Sequence, residues 1–304
     1  MERVFCYQCN SLGHKLIFLD EKTGCTIAKC QKCGAFYTKD RYTEIEINQL
    51  YEQSSYFTDV SSATYSDEWQ TALSAEIQTI ERIQGEKGSL LDVGCGGGGL
   101  VYAAHKLGWN AFGIDPSQVA VELGRKKWNL DTIVKADLTD FDSKQKFDVI
   151  TAYHVLEHLY YPQQALDRIR NFLKPEGLFV IQVPNFASVD LRVDINIWNT
   201  MTHLPFHTIH FTPKSLEALL ESAGFTVIER HYLAPTALIS RIKNTLRPQK
   251  RESVQSIPND IFFDDARSLV QIQPSVYQRS KYQIVKILTK FMPGSVMTYY
   301  AKTK

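Results

Sequence analysis

Leu90-Leu91-Asp92-Val93-Gly94-Cys95-Gly96-Gly97-Gly98-Gly99 runs from an apolar strand into a loop in which five of six residues are glycine. An apolar helical pattern follows at once, with Leu100, Val101, Ala103, Ala104 and Leu107. Glycine has no Cβ, so such a loop takes left-handed backbone and lets a ligand lie against the main chain. A strand, a glycine turn and a helix is the arrangement by which open α/β sheets hold nucleotide-like ligands at the strands' carboxyl ends. The spacing Gly94-x-Gly96-x-x-Gly99 also fits a dinucleotide loop, so the glycines alone leave the ligand open.

Outward from this stretch, strand and helix patterns alternate. Strands are expected at Leu90–Val93, Ala111–Ile114, Thr132–Val134, Phe147–Ala152 and Leu178–Val183. Helices are expected at about Leu100–Leu107, Ser117–Trp128, Pro162–Leu173 and Lys214–Ala223. This alternation predicts an α/β fold with a doubly wound parallel sheet. Phe211-Thr212-Pro213 supplies a cap and an N1 proline for the last helix, and Gly224 closes it. Two further strands read at Thr226–His231 and Val296–Ala301. Upstream, Ser66 has the look of an N-cap for a helix carrying Trp69, Leu73, Ile77 and Ile80 to Gly85, and a short helix reads near Ile45–Glu52.

The composition is that of an ordinary globular protein: 304 residues, 44% hydrophobic, 22% charged and a formal net charge of +1. A near-neutral balance offers no global field for nucleic acid. No apolar run of membrane-spanning length occurs, and Met1-Glu2-Arg3-Val4-Phe5-Cys6 is no signal sequence, so a cytoplasmic protein with reduced thiols is expected.

Cys6-Tyr7-Gln8-Cys9 and Cys30-Gln31-Lys32-Cys33 form two CxxC turns with twenty residues between them. In a reducing compartment this spacing predicts a tetrahedral Zn²⁺ site with Cys6, Cys9, Cys30 and Cys33 as ligands. Four thiolates close the coordination sphere, so the metal is expected to be structural. The remaining thiol of this region, Cys25, lies between the pairs. The expected division is a zinc ribbon over 1–40, a linker and helical cap over 41–88, a core over 89–232 with 294–304, and a helical insertion or lid over 233–293.

Asp92 helps to choose the ligand. A carboxylate beside the loop would repel a pyrophosphate and would suit a ligand carrying an ammonium and a sulfonium. Over about 89–232 the chain resembles the class I S-adenosylmethionine-dependent methyltransferases. The resemblance is carried by Leu91-Asp92-Val93-Gly94-Cys95-Gly96-Gly97-Gly98, Gly113-Ile114-Asp115-Pro116-Ser117, Ala136-Asp137-Leu138, Val155-Leu156-Glu157-His158-Leu159 and Leu173-Lys174-Pro175-Glu176-Gly177-Leu178, in the family's order. It implies a seven-stranded sheet whose last strand is antiparallel. It also implies a cofactor site made of Asp92, Gly94, Cys95, Gly96, Gly98, Asp115, Pro116, Asp137 and His154. In that site the methionine part lies on the glycines, Asp92 favours the ammonium, Asp115 accepts the ribose hydroxyls and Asp137 meets the adenine amine. His154 then borders the reactive end of the cofactor. Asp115 also suits the N-cap of the next helix, and both roles are compatible. Asp137 also reads as a simple turn aspartate.

Methyl transfer to a hydroxyl or carbon acceptor requires alignment and removal of a proton, and histidine is the natural base near neutral pH. His158 follows the fourth strand, and His203, His207 and His210 follow the fifth, all at the ligand edge. His158, His207 and His210 are the candidate bases. Ala152-Tyr153-His154-Val155 stands where an Asn-Pro-Pro-Tyr motif would mark transfer to exocyclic base amines. The ribbon in front of this fold resembles that of sugar C-methyltransferases. Of their Tyr-His-Glu-His run, Phe206-His207-Thr208-Ile209-His210-Phe211 keeps two histidines and lacks the glutamate. The Val-Leu-Glu-His stretch is also similar to that of quinone O-methyltransferases. The expected acceptor is a small molecule, a nucleotide- or lipid-linked sugar or another glycan or natural-product intermediate. RNA methylation and a non-catalytic cofactor-binding role are the alternatives. Helices expected at Ala237–Leu246 and Lys281–Met292, with Arg241, Lys243, Arg247, Lys250 and Arg251, suggest a lid and a peripheral membrane contact.

Overall fold

The structure is a computed structural model, and it describes residues 1–53, 66–235, 239 and 293–304. The expected helices Ala237–Leu246 and Lys281–Met292, and with them the lid, lie outside the described residues.

The main body is a seven-stranded sheet with two layers of helix. Its strands are β5 (Ser89–Val93), β6 (Asn110–Asp115), β7 (Ile133–Lys135), β8 (Phe147–Tyr153), β9 (Leu173–Pro184), β11 (Phe225–Tyr232) and β12 (Val296–Thr303). They lie in the order β11-β12-β9-β8-β5-β6-β7, with β12 antiparallel to both neighbours. The five strands from β9 to β7 are parallel. Such strands are covered on both faces and read as near-continuous apolar runs, as in Leu90, Leu91, Val149, Ile150, Val180 and Ile181, all fully buried.

The helices follow their sequence signals closely. Ser66 accepts from the Trp69 N–H to cap α2 (Asp67–Gln84), which buries Ile77 and Ile80 and stops at Gly85. α3 (Gly99–Lys106) packs against α2, and Ser117 caps α4 (Gln118–Trp128). On the other face lie α5 (Pro162–Phe172) and α8 (Pro213–Ser222), the latter opened by a Thr212–Ser215 capping box. β9 begins at Leu173, five residues earlier than its apolar run, because Leu173 already pairs with Phe147 of β8; an irregularity through Glu176, at φ 61°, separates that pair from Leu178 opposite Val149. Two short helices, α6 (Asp190–Val193) and α7 (Ile195–Thr202), follow β9 where no periodic pattern announces them.

The N-terminal region forms a second sheet from β1 (Glu2–Arg3), β2 (His14–Leu19), β3 (Thr26–Cys30) and β4 (Phe36–Arg41), followed by α1 (Glu44–Gln53). This sheet takes one strand from the main body. β10 (Ile209–His210) pairs antiparallel with β4, Ile209 opposite Tyr37 and His210 opposite Phe36. Edge strands expose unpaired backbone groups that invite such addition. Aromatic contacts reinforce the join: Tyr7 with Phe211 at 6.0 Å, Phe36 with Phe186 at 5.1 Å and Phe18 with Trp198 at 5.6 Å. Cys25 is fully buried in this region. Among the described residues no helix is long and apolar enough to cross a membrane.

Candidate active site and metal centre

The carboxyl ends of β5, β6 and β8 converge on the glycine loop. Gly94, Gly96 and Gly98 have φ of 70°, 52° and 70°, left-handed values that only glycine takes without cost. At Gly94 a Cβ would lie 2.5 Å from Val155 Cγ2, so the loop and the turn that follows β8 meet this closely only with glycine there. At Gly96 a Cβ would meet nothing within 4 Å, which marks an open cradle over the backbone. Cys95 turns inward, its thiol buried against Gly113.

Two buried carboxyls flank this cradle. Asp115, at the end of β6, accepts from the Gly96 N–H with Oδ2 and from the Ser117 N–H with Oδ1, both at 2.8 Å. The cap and the ligand role are therefore compatible in geometry: each oxygen spends one acceptor site on backbone and keeps another. Burial pushes the Asp115 carboxyl up to about 6, against the pull of the Ser117 and Gly96 N–H groups. Asp92 receives the Thr151 hydroxyl at 2.7 Å, and burial pushes it up to about 7, with the Asp115 charge adding to the rise. A cationic ligand with vicinal hydroxyls fits this pair, because it supplies the charge and the donors that the buried oxygens lack. Thr151 carries no sequence signal beyond its place in an apolar strand. Asp137 is exposed, and its Oδ1 accepts from the Thr139 N–H and hydroxyl, an Asx turn that leaves the other oxygen for a ligand. Pro116 is exposed beside Asp115.

His154 follows the last residue of β8 with φ 56°, and its N–H donates to the Gln182 carbonyl at 2.9 Å. Its Nδ1 lies 3.1 Å from Glu157 Oε1, with the imidazole 29% exposed and the carboxylate 1% exposed.

The three candidate bases occupy a different setting. His158 is half-buried, its Nδ1 3.0 Å from the Tyr51 hydroxyl of α1, and loss of solvent around the ring lowers its pKa. His207 Nδ1 lies 2.9 Å from the Met201 carbonyl, and burial drives its pKa well down. His210 Nε2 lies 3.0 Å from the Thr38 hydroxyl of β4, and burial pushes its pKa down to about 3. The Thr38 hydroxyl also lies 2.8 Å from the His207 carbonyl. His158 and His207 stack edge to face at 4.6 Å, and donor atoms of Glu157, His158 and His207 lie within 4.8 Å of one another. The structure thus brings His158 and His207 together and turns His210 toward the N-terminal sheet. Tyr51 and Thr38, which hold these rings, have no sequence signature.

The four cysteines of the paired turns converge. All four sulfurs lie within 4.8 Å of one another, with Cys6 and Cys33 3.4 Å apart and Cys9 and Cys30 3.5 Å apart. A zinc–sulfur bond of about 2.3 Å sets tetrahedral sulfurs roughly 3.8 Å apart, so the four fit one such ion. Burial raises the Cys6 thiol, whereas the N–H groups of Cys33 and Lys32 outweigh burial at Cys30 and lower it to about 6.

Comparison with known proteins agrees with this geometry. Ubiquinone biosynthesis O-methyltransferase of Rhodopseudomonas palustris is 30% identical over 162 residues, which are 50% of this chain and 64% of that protein. The corresponding protein of Schizosaccharomyces pombe is 32% identical over 99 residues, 30% of this chain and 36% of its own. The chain thus spans less than two thirds of these relatives' length. A SAM-dependent methyltransferase from Archaeoglobus fulgidus has the same fold, with a TM-score of 0.52 at 18% identity over 82% of this chain and all of that one. So does 1,6-didemethyltoxoflavin-N1-methyltransferase from Burkholderia thailandensis, with a TM-score of 0.52 at 15% identity over 95% of this chain and 99% of that one. Residues 65–230, more than half of the chain, match the methyltransferase domain family. They carry the whole strand–glycine loop–helix unit, and the chain belongs to that family.

Proposed function

We propose that the protein transfers a methyl group from S-adenosylmethionine to a small-molecule acceptor. The observation that carries this reading is the pair of buried carboxyls around an open glycine cradle. Asp115 supports ribose recognition, and Asp92 supports an ammonium, in part through water. Gly94, Gly96, Gly98 and Cys95 would line the methionine part, with Pro116 and Asp137 toward the adenine and His154 toward the sulfonium. When bound, the cofactor supplies an electrophilic methyl on a good leaving group. The protein's own work is then to orient the acceptor, exclude water and receive a proton.

The acceptor reading is a hydroxyl or carbon nucleophile on a sugar, a glycan-pathway intermediate or a related natural product. The two relatives matched by sequence are named as O-methyltransferases of ubiquinone biosynthesis, which favours a hydroxyl. Cys6, Cys9, Cys30 and Cys33 would hold a structural Zn²⁺ that staples a sheet too small to fold on its own core. His158, His207 and His210 stay proposed members of the acceptor region, as rings that shape it.

Calorimetry with S-adenosylmethionine tests the donor. Release of S-adenosylhomocysteine across a panel of nucleotide-sugars, lipid-linked sugars and quinols tests the acceptor. Donor binding with turnover of one class supports the proposal. Binding without turnover of any class would favour a non-catalytic role.

A further inference from the structure

We infer that His154 and Glu157 form a catalytic dyad in which His154 receives the proton of a hydroxyl acceptor and Glu157 positions and charges it. The inference rests on the donor reading above and adds the base that it leaves open.

Three observations carry it. His154 holds φ 56°, a left-handed backbone that is unfavourable for a non-glycine residue. Strain of this kind persists where the surroundings enforce it, often at working sites. Here the turn takes the chain from the end of β8 to Val155, which seats on Gly94, and on into a single 3₁₀ turn over Leu156–His158. That path puts Glu157 beneath the His154 ring, with Nδ1 and Oε1 at 3.1 Å.

Secondly, Glu157 is fixed from behind. Its carbonyl accepts from the Thr208 N–H at 2.8 Å and from the Thr208 hydroxyl at 3.2 Å. Its carboxylate is buried, and among the described residues Oε2 has no hydrogen-bond partner. A buried carboxylate oxygen without a donor is costly, and a positive charge appearing on the adjacent imidazole offsets that cost.

Thirdly, His154 differs from the other histidines of this edge. His207 and His210 are buried, with a ring nitrogen on Met201 or Thr38, and half-buried His158 has its Nδ1 beside the Tyr51 hydroxyl. His154 is part-exposed at the carboxyl edge beside the glycine loop, where an acceptor would meet the methyl group.

In the proposed dyad Glu157 accepts from Nδ1–H, which leaves the lone pair on Nε2. In the transfer step an oxygen lone pair of the acceptor forms the O–CH3 bond. The S–CH3 bond breaks and leaves its electron pair on the sulfur of S-adenosylhomocysteine. The acceptor's O–H proton passes to His154 Nε2. The resulting imidazolium faces the Glu157 carboxylate and later releases its proton to water.

Diethylpyrocarbonate, which acylates unprotonated and accessible imidazole nitrogen, tests this on the full chain with peptide mapping. His154 should be modified at least tenfold faster than His158, His207 or His210. Saturating S-adenosylhomocysteine, with binding established by calorimetry, should slow it about tenfold. Glu157→Gln should also slow it, because a side-chain amide can donate to Nδ1 and move the ring proton to Nε2. Nitrogen-15 NMR of the unsubstituted protein gives an independent reading, with His154 expected as the Nδ1–H tautomer. The Nε2–H tautomer, or an unprotected His154 in a protein that binds S-adenosylhomocysteine, would overturn the dyad and leave the donor reading intact. No S-adenosylhomocysteine binding at all would overturn both.

Discussion

The glycine loop and the histidine layer lie at the same edge of one sheet, and both are dense in buried titratable groups. They differ in what those groups touch. Around the loop, Asp92 and Asp115 keep acceptor capacity and are pushed toward neutrality by burial, with one hydroxyl and two backbone N–H groups as their protein partners. In the layer, His158, His207 and His210 are tied to Tyr51, Met201 and Thr38. The first arrangement keeps acceptor sites open toward a ligand; in the second each ring has a protein partner, and two of the three, Tyr51 and Thr38, come from the N-terminal region. Residue type therefore does not separate a ligand site from a scaffold, whereas the partner list does.

The largest expected effect that separates the two regions comes from the metal. Structural zinc is worth on the order of 10 kcal/mol in small modules. Chelation, or Cys30→Ser, is expected to unfold β1–β4 and also to release Thr208–His210, because β10 is a strand of that sheet. Hydrogen exchange should accelerate in both segments, with β5 and the glycine loop unchanged. Unchanged protection at Thr208–His210 after metal loss would show that the histidine layer stands without the ribbon.

A middle-sized effect concerns pH and the loop. The folded carboxyl of Asp92 titrates at about 7 and that of Asp115 at about 6, both above the ordinary aspartate value. Their neutral forms favour the fold, so this contribution is full below about pH 4 and is lost as pH rises through 6 to 7. The ligand-free protein should lose several degrees of thermal midpoint between pH 5 and pH 8, and Asp92→Asn should lose fewer. Equal slopes in the two proteins would remove Asp92 from the account.

The smallest effect is at the seam. Thr38→Val removes one buried hydroxyl that meets the His207 carbonyl and His210 Nε2. It should cost about 1–3 kcal/mol, read as a lower thermal midpoint, with no change in S-adenosylmethionine affinity. A matching fall in affinity would mean that seam and loop act as one unit.

The same contrast explains what could be read from residues alone. The loop, its strands and their helices are local patterns, so apolar runs, caps and glycines announce them within a residue or two at most positions. The cysteine pairs are likewise local turns. The seam is not local. β10 is two residues long, and its partner lies about 170 residues away in sequence, so no periodicity marks it. The role of Glu157 is hidden for a related reason. Its spacing from His154 is visible, but the left-handed turn that makes them meet is a property of backbone geometry. The histidines stand out in sequence as bases, whereas the partners of their ring nitrogens come only with the fold.

The central claim is that the glycine loop with Asp115 holds S-adenosylmethionine. Titration calorimetry of the parent protein and of Asp115→Ala tests it most directly. The parent protein should show saturable one-to-one binding. The variant should lose roughly 100-fold or more, as two charge-assisted hydrogen bonds imply, while keeping its circular dichroism and melting transition. Equal affinity in a folded variant would contradict it.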